Sequence, residues 1–402
     1  MRPSFRSRSL LPSAPVTDVA IVGAGIVGVA HAVDAVRRGL SVTVVERDDR
    51  PSGASVRNFG HLFPSAQAGV ALEVALDSRS RWLELAAEAG YWLLESGTLL
   101  VARLPEELAV MEEFAATAGV DAHVLTRDEV LQRAPVSDSG LLGGLSTPLD
   151  CRVDPREALP ALCAWLQREQ GVTFLWGTTA LGAQEGVLST NRGEVRAEAI
   201  VVAAGHDLDS LLPETAEEAG LRRCSLHMLC VASPGGRSVA PALGSGLALL
   251  RYSGFAECPS VAALRARVEL ERPELLAEAV NLLVTQRPDG DLVVGDTHHY
   301  AVTPSPFRDE RLDELLLEEA ARLLGGPLTV RERWQGIYAD ASERDFLVAA
   351  PTRGVRAVAV TTGIGMTTAF GLAPRVLDEI FDHTPSRTDK EEACVSPSVP
   401  LS

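Results

Sequence analysis

The chain has 402 residues, 46% hydrophobic and 23% charged, which is enough material for two domains with separate cores. Its formal net charge of −17 argues against nucleic acid as a partner. No apolar run reaches the roughly 18 residues of a membrane span. The six cysteines have neither paired nor metal-ligand spacing, so the sequence points to a reduced, cytoplasmic protein with no membrane and no metal.

Residues 1–15, rich in arginine and serine and free of acids, read as a disordered leader. The first strand is expected at Val19-Ala20-Ile21-Val22, an apolar run of the kind buried on both faces. Gly23-Ala24-Gly25-Ile26-Val27-Gly28 follows at once, then a helical period over residues 26–38 stopped by Gly39, then a β-branched strand over 41–45 ending in Glu46. Each glycine has a physical task. Gly23 permits the tight strand-to-helix turn, Gly25 lets the backbone approach a pyrophosphate, and Gly28 lets helix and strand pack closely. The helix that Ile26 opens presents unpaired N–H groups and the positive end of its dipole. Glu46 suits the diol of a ribose. Strand, glycine turn, helix, strand and acid in this order point to a bound dinucleotide.

Arg47 begins a loop that runs through Ser55, Arg57, Asn58 and Phe59 to Gly60 with no helical or strand period, and loops of that length in compact domains are usually functional. Helices are expected over 68–90 and 105–119, with strands at 97–102 and 142–146. Asp154 is a good N-cap and Pro155 a good first helical residue for a helix reaching about residue 169. Strands follow at 172–176 and 181–184. A buried parallel strand over 199–205 ends in small residues, as at a carboxyl edge where ligands bind. Over 221–327 the pattern gives strands at 226–232, 246–251, 281–286 and 291–294, a long helix at 261–279, and a hairpin turn at Gln286-Arg287-Pro288-Asp289-Gly290-Asp291. Trp334-Gln335-Gly336-Ile337-Tyr338-Ala339, a strand at 355–361 and Gly363-Ile364-Gly365-Met366-Thr367-Thr368 then return to the first part of the molecule. Residues 384–402 read as a disordered tail. Lys390, in that tail, is the only lysine, so none can act as Schiff base or general base.

GAGIVG at 23–28, VVER at 44–47 and the SGAS–RNFG loop at 52–60 resemble the FAD-dependent amine and D-amino-acid oxidoreductase family, which includes glycine oxidase and sarcosine oxidase. The resemblance covers most of residues 16–383. It implies an α/β fold: a Rossmann-like FAD-binding domain (16–61, 148–220 and 331–383) with an inserted, mostly antiparallel α+β substrate domain (62–147 and 221–330). By the same resemblance the loop carrying Ser55, Arg57, Asn58, Phe59 and Gly60 runs under the flavin, and Arg57 braces the loop or the pyrophosphate. Ala180, Ala204 and Gly205 border the cofactor. The resemblance also implies that the helix opened by Gly363, Gly365, Met366, Thr367 and Thr368 points its N-terminus at the flavin pyrimidine. The cysteine that links flavin in some members corresponds to Gly336, so FAD is expected to be non-covalent. The implied reaction is hydride transfer to flavin from the carbon beside a neutral amine, with hydrolysis of the imine and oxygen or another electron acceptor as partner.

The substrate side departs from the family. The arginines that hold a carboxylate in glycine-oxidase-like enzymes correspond to Tyr338 and Met366, neither of which forms a bidentate fork. Arg251, next to Tyr252, is the first candidate for a substrate anion, with a solvated arginine as the alternative. His298 and His299, beside Tyr300, either line the substrate pocket or are hydrogen-bonded loop residues. His61 has a pocket role or a packing role. His31 and His227 sit in apolar patterns and read as structural. RNFG, GDTHHY and WQGIYA further resemble a subgroup associated with bacterial phosphonate breakdown, which implies an aminophosphonate such as 2-aminoethylphosphonate. The alternatives are glycine- or D-amino-acid-oxidase-type deamination and a non-catalytic flavin-binding subunit.

Overall fold

The computed structural model describes residues 16–341 and 344–381; the leader and tail expectations lie outside the described residues. Two large sheets dominate. The first runs in the order Ala180–Gln184, Val187–Thr190, Gly193–Val202, Val16–Val22, Val42–Glu46, Thr173–Trp176. Val355–Val360 pairs beside the second half of Gly193–Val202, and Phe346–Ala349 lies beyond it. Its central pairings are parallel. Val19, Ala20 and Ile21 are fully buried because both faces are covered. Ile21, Val44 and Val201 meet the helices Ile26–Arg37, Pro155–Arg168 and Gly365–Phe381, while Ala20, Val45 and Ile200 pack on the opposite face. Alternation along each strand thus supplies two cores.

The second sheet runs His299–Ala301, Arg222–Val231, Leu292–Gly295, Leu283–Gln286, Ala242–Ser245, Thr98–Ala102, Gly143–Thr147, His123–Thr126, with the long strand Val330–Asp340 also on Arg222–Val231. Its pairings are antiparallel apart from Ala242–Ser245 on Thr98–Ala102. The architecture is therefore α/β, a mostly parallel sheet joined to a mostly antiparallel one. The hairpin expected at 286–291 joins Leu283–Gln286 to Leu292–Gly295.

Two sequence expectations need correction. Residues 246–251 are not a strand: Gly246–Leu250 is a 3-10 turn, started by Ser245, whose Oγ accepts from the Leu247 N–H. A Cβ on Gly246 would collide with the Glu107 carboxyl, so the chain bends where only glycine fits. The helix over 261–279 is two helices, Val261–Glu271 and Pro273–Ala277, because Arg272 precedes a proline and takes an extended φ of −142°.

Helix Gly69–Ala89 packs on Gly365–Phe381. Trp82, fully buried, donates its indole N–H to Met366 O at 2.8 Å and meets Phe370 edge-on at 4.9 Å. Where the helices cross, a Cβ on Gly371 would collide with the Val74 carbonyl oxygen. Gly371→Ala is therefore expected to cost about 1–3 kcal/mol of unfolding free energy by overpacking, measurable as a lowered urea midpoint at unchanged slope.

Candidate functional site

A long cavity runs from the carboxyl edge of the first sheet to the face of the second. At its first end lie Gly23, Gly25, Ile26, Glu46, Arg47, Ala180, Ala204 and Gly205. Gly23 has φ +100°, and a Cβ there would stand 2.6 Å from Ala203 O, so the turn admits no side chain. Gly28 does not line the cavity; it packs against the Gly23 carbonyl. Helix Ile26–Arg37 has no side-chain cap from Gly25 and no acid in its first turn, which leaves its positive end toward the cavity. The Ile26 N–H donates to Ser55 Oγ at 2.9 Å. The Glu46 carboxylate is fixed at its strand end by the N–H groups of Ala24 (2.8 Å) and Asp48 (3.0 Å). Arg47 pairs with Asp207 at 2.8 Å.

The loop is tied by Asn58, whose Nδ2 donates to Ala54 O and Ser55 O at 3.0 Å each, while its Oδ1 accepts from the Gly60 N–H at 2.7 Å. Asn58, Ser55, Arg57 and Phe59 line the cavity. Gly60 does not; it has φ +67° and packs against Val153 O. Opposite the loop, Gly363, Gly365, Met366 and Thr367 bring the N-terminus of helix Gly365–Phe381 to the wall. Thr368 lies one layer deeper, its hydroxyl donating to Ile364 O at 2.9 Å.

At the far end the structure brings together His61, Arg251, Tyr252, His298, Tyr338 and Met366. It adds Phe63, Gln67, Asn281 and Asp296, which sequence reasoning missed. Arg251 donates from Nη2 to Tyr338 Oη and Thr362 O, both at 3.2 Å, and from Nε to His298 Nε2 at 3.4 Å. His298 Nδ1 stands 2.9 Å from Ala279 O and must be the protonated nitrogen, so Nε2 is the acceptor. Burial, then the Arg251 charge, pushes His298 down to about 3, so the ring is neutral. Burial and the Arg152 charge likewise push His61 down to about 3, and its Nε2 meets Thr98 Oγ1 at 2.8 Å. Burial raises the Tyr252 hydroxyl to about 12 and Tyr338 well above the usual phenol range. Asp296, 4% exposed, is pushed up to about 7 by burial, opposed by Arg251 and by a hydrogen bond from Asn281.

His299 is not with this group. Its side chain is 42% exposed and its Nε2 lies 3.4 Å from Glu278. Tyr300 stacks under the Arg222 guanidinium, 4.6 Å from its ring centre. His31 Nδ1 meets Val27 O at 2.7 Å and His227 Nδ1 meets Asp313 at 2.9 Å, both away from the cavity.

The family model described as DAO, FAD dependent oxidoreductase, matches residues 18–378. The chain belongs to this family. Glycine oxidase of Geobacillus kaustophilus is 28% identical over 205 residues, 47% of this chain and 54% of that protein. D-amino acid dehydrogenase of Rhizobium johnstonii is 31% identical over 255 residues, 46% of this chain and 61% of that protein. The bifunctional protein ThiO/ThiG of Nostoc sp. is 30% identical over 213 residues, 49% and 32% of the two chains. Among these relatives the chain thus spans between 32% and 61% of their lengths. Among solved structures, L-proline dehydrogenase from P. horikoshii superposes with a TM-score of 0.75 at 18% identity, covering 93% of this chain and 95% of that one. Glycine oxidase from Geobacillus kaustophilus gives 0.73 at 19%, covering 96% and 100%. At these identities the superpositions speak to the fold.

FAD, the family's cofactor, fits what the chain offers: a side-chain-free turn, a helix N-terminus with no acid in its first turn and a fixed carboxylate at a strand end. Glu46→Ala is expected to raise the dissociation constant of FAD about tenfold or more, read by quenching of flavin fluorescence on titration of apoprotein. Asp296 also predicts a pH effect. Its folded pKa lies above the ordinary value near 4, so between about pH 4 and 7 the native state holds a proton that the unfolded chain has released. Stability from this group therefore falls as pH rises through that window, by at most about 1.4 kcal/mol per unit. Asp296→Asn should flatten urea-derived unfolding free energies between pH 5 and 7.

Proposed function

We propose that the protein oxidises a small amine that carries an anionic group, an aminophosphonate of the 2-aminoethylphosphonate kind, with FAD held non-covalently. The observation that carries this reading is Arg251, a cation on the cavity wall whose hydrogen-bond partners, a tyrosine hydroxyl, a backbone carbonyl and a neutral imidazole, bear no charge. A cation left without a bonded carboxylate in a desolvated wall favours an incoming anion. Tyr338 and Met366, where the resemblance puts the carboxylate-holding arginines, both face the same space. A guanidinium on the same wall as the Tyr252 and Tyr338 hydroxyls suits a tetrahedral dianion, which offers three oxygens to donors from different directions. Gly336 lines the cavity, and no cysteine does so among the described residues, which supports a non-covalent cofactor.

When bound, FAD supplies the acceptor for the hydride leaving the carbon that bears nitrogen. The chain's own residues do the rest. Arg251 fixes the anionic end of the substrate. Tyr252 and Tyr338 remain protonated and donate. Phe63, His61 and Met366 bound the space and keep water from it. The N-terminus of helix Gly365–Phe381 places positive potential where negative charge develops. A second reading, deamination of glycine or a D-amino acid, is favoured by the named relatives and by the capacity of the same guanidinium to hold a carboxylate. No helix among the described residues is long and apolar enough to cross a membrane.

The test is anaerobic bleaching of the enzyme-bound flavin by glycine, sarcosine, D-alanine, 2-aminoethylphosphonate and its N-methyl derivative. The phosphonates should reduce the flavin fastest. Fastest reduction by glycine would replace the phosphonate reading with the amino-acid one, and a flavin bleached by no amine would reduce the protein to a flavin carrier. Arg251→Met should raise KM for anionic amines about a hundredfold, the worth of a desolvated charge-assisted pair, with a much smaller change for a neutral amine of the same length.

A further inference from the structure

The cavity wall holds two opposite charges and keeps them apart. Arg251 and Asp296 both line it, yet they do not pair; the Nε2 of His298 is near each of them, 3.4 Å from Arg251 Nε and 3.8 Å from Asp296 Oδ2. Because His298 spends its one proton on Ala279 O, the nitrogen nearest Asp296 carries only a lone pair and offers that carboxylate no hydrogen bond. Asn281, 2% exposed, donates its Nδ2 to Asp296 Oδ1 and Tyr252 Oη, both at 3.4 Å, which orients its amide. The Asn281 Oδ1 is then a buried acceptor with no partner. A buried acceptor without a donor is unfavourable. Here it lies next to a buried carboxylate, in the wall of a cavity already fitted with a cation. Two neighbouring acceptors opposite a guanidinium match a molecule with an ammonium at one end and an anion at the other.

We propose that Asp296, with Asn281, forms the ammonium-binding half of the substrate site, and that the Asp296 carboxylate takes one proton from the bound ammonium. The step balances within the site. An N–H bond of the substrate breaks, its electron pair stays on nitrogen as the lone pair that oxidation requires, and an O–H bond forms on Asp296. The substrate class narrows from small anionic amines to zwitterions, which arrive protonated at neutral pH. This rests on the reading that the cavity takes an amine with its anion at Arg251.

Elements packed around Asp296 supply the other titratable groups that face it: Arg251 and Tyr252 after the turn Gly246–Leu250, Cys224 from strand Arg222–Val231, and His298 from its own segment. Burial holds Cys224 and Tyr252 at about 12 and His298 at about 3, and Arg251 stays cationic. Asp296 is the member of this set that changes charge in the neutral range.

The test uses oxidised holoenzyme and two ligands that differ only in the amine: 2-amino-2-methylpropylphosphonate, whose nitrogen-bearing carbon has no hydrogen to lose, and 2-methylpropylphosphonate. The carboxylate pair 2-aminoisobutyrate and isobutyrate serves as a second series. By calorimetric titration the wild type should bind the zwitterion of the preferred series at least about tenfold more tightly than its amine-free partner. Asp296→Asn should weaken the zwitterion about 30-fold and leave the amine-free anion unchanged or tighter. Asp296→Ser should repeat the pattern, with flavin content and melting temperature reporting the fold. In the pH dependence of flavin reduction, Asp296→Asn should lose rate at pH 7 and recover toward the amine's own pKa, about 10. Equal weakening of both ligands, or wild-type binding that ignores the amine, would overturn the proposal. Because neither ligand can be oxidised, binding is read even if no amine bleaches the flavin, so failure of the oxidation reading and failure of the ammonium subsite give different results.

Discussion

The contact on which the rest of the structure depends is the meeting of three backbones at Gly23. The end of strand Val16–Val22, the end of strand Gly193–Val202 and the start of helix Ile26–Arg37 converge so closely that a Cβ at Gly23 would press on Ala203 O and one at Gly28 would strike Gly23 O. Three consequences follow from this one approach. The helix begins immediately at the carboxyl edge of the sheet, so its unpaired N–H groups face the cleft. The small residues Ala203, Ala204 and Gly205 keep the neighbouring strand end open. Glu46, on the other flank of the first strand, is held by the Ala24 N–H inside the same turn, so the distance between carboxylate and helix N-terminus is set by backbone.

The loop that follows Arg47 joins this scaffold to the second sheet through backbone groups. Arg57 O accepts from the Trp334 indole at 3.0 Å, Phe59 O from Thr285 Oγ1 at 2.8 Å, and the Phe63 N–H donates to Thr367 Oγ1 at 3.1 Å. Trp334 and Thr285 belong to the antiparallel sheet, Thr367 to the helix that caps the cavity. One irregular segment therefore fixes the spacing of the two ends of the cavity together. Asn58, which looks like a ligand-binding side chain in sequence, spends three hydrogen bonds on holding that segment's shape.

What was legible in the sequence was what is local. The strand, glycine turn, helix and acid from Val19 to Glu46 carry fixed spacings that follow from strand rise and helix pitch, and the structure reproduces them. Asp154 and Pro155 announced their helix by cap chemistry, and the Asp154 side chain accepts the Arg156 N–H. The segment at 246–251 reads as a strand because Gly246-Leu247-Ala248-Leu249-Leu250 is as apolar as one; its turn packs Gly246 against the distant Glu107 carboxyl, a contact no local pattern reveals. The substrate end was least legible for the same reason. Asn281, Asp296, Arg251, Gln67 and Phe63 come from strand ends and turns far apart in the chain and become neighbours only when the antiparallel sheet closes over the cleft. Asp296 stood in plain view in GDTHHY. Of the paired histidines beside it, only His298 turns inward.

Separation of charge is the costly part of this design, and it bears on what the cavity is for. A buried guanidinium and a buried carboxylate on one wall would lower their free energy most by closing into a bidentate pair. Here the Arg251 guanidinium instead bonds to Tyr338, Thr362 and His298, and Asp296 is bonded through Asn281. Beside them stand an imidazole held neutral by burial, with its tautomer fixed by Ala279 O, and an asparagine that gives its donors away and leaves its acceptor bare. Retaining the less stable, open arrangement makes physical sense where a ligand supplies the missing counter-charges at both ends, with its reacting carbon held between them and against the flavin-facing wall.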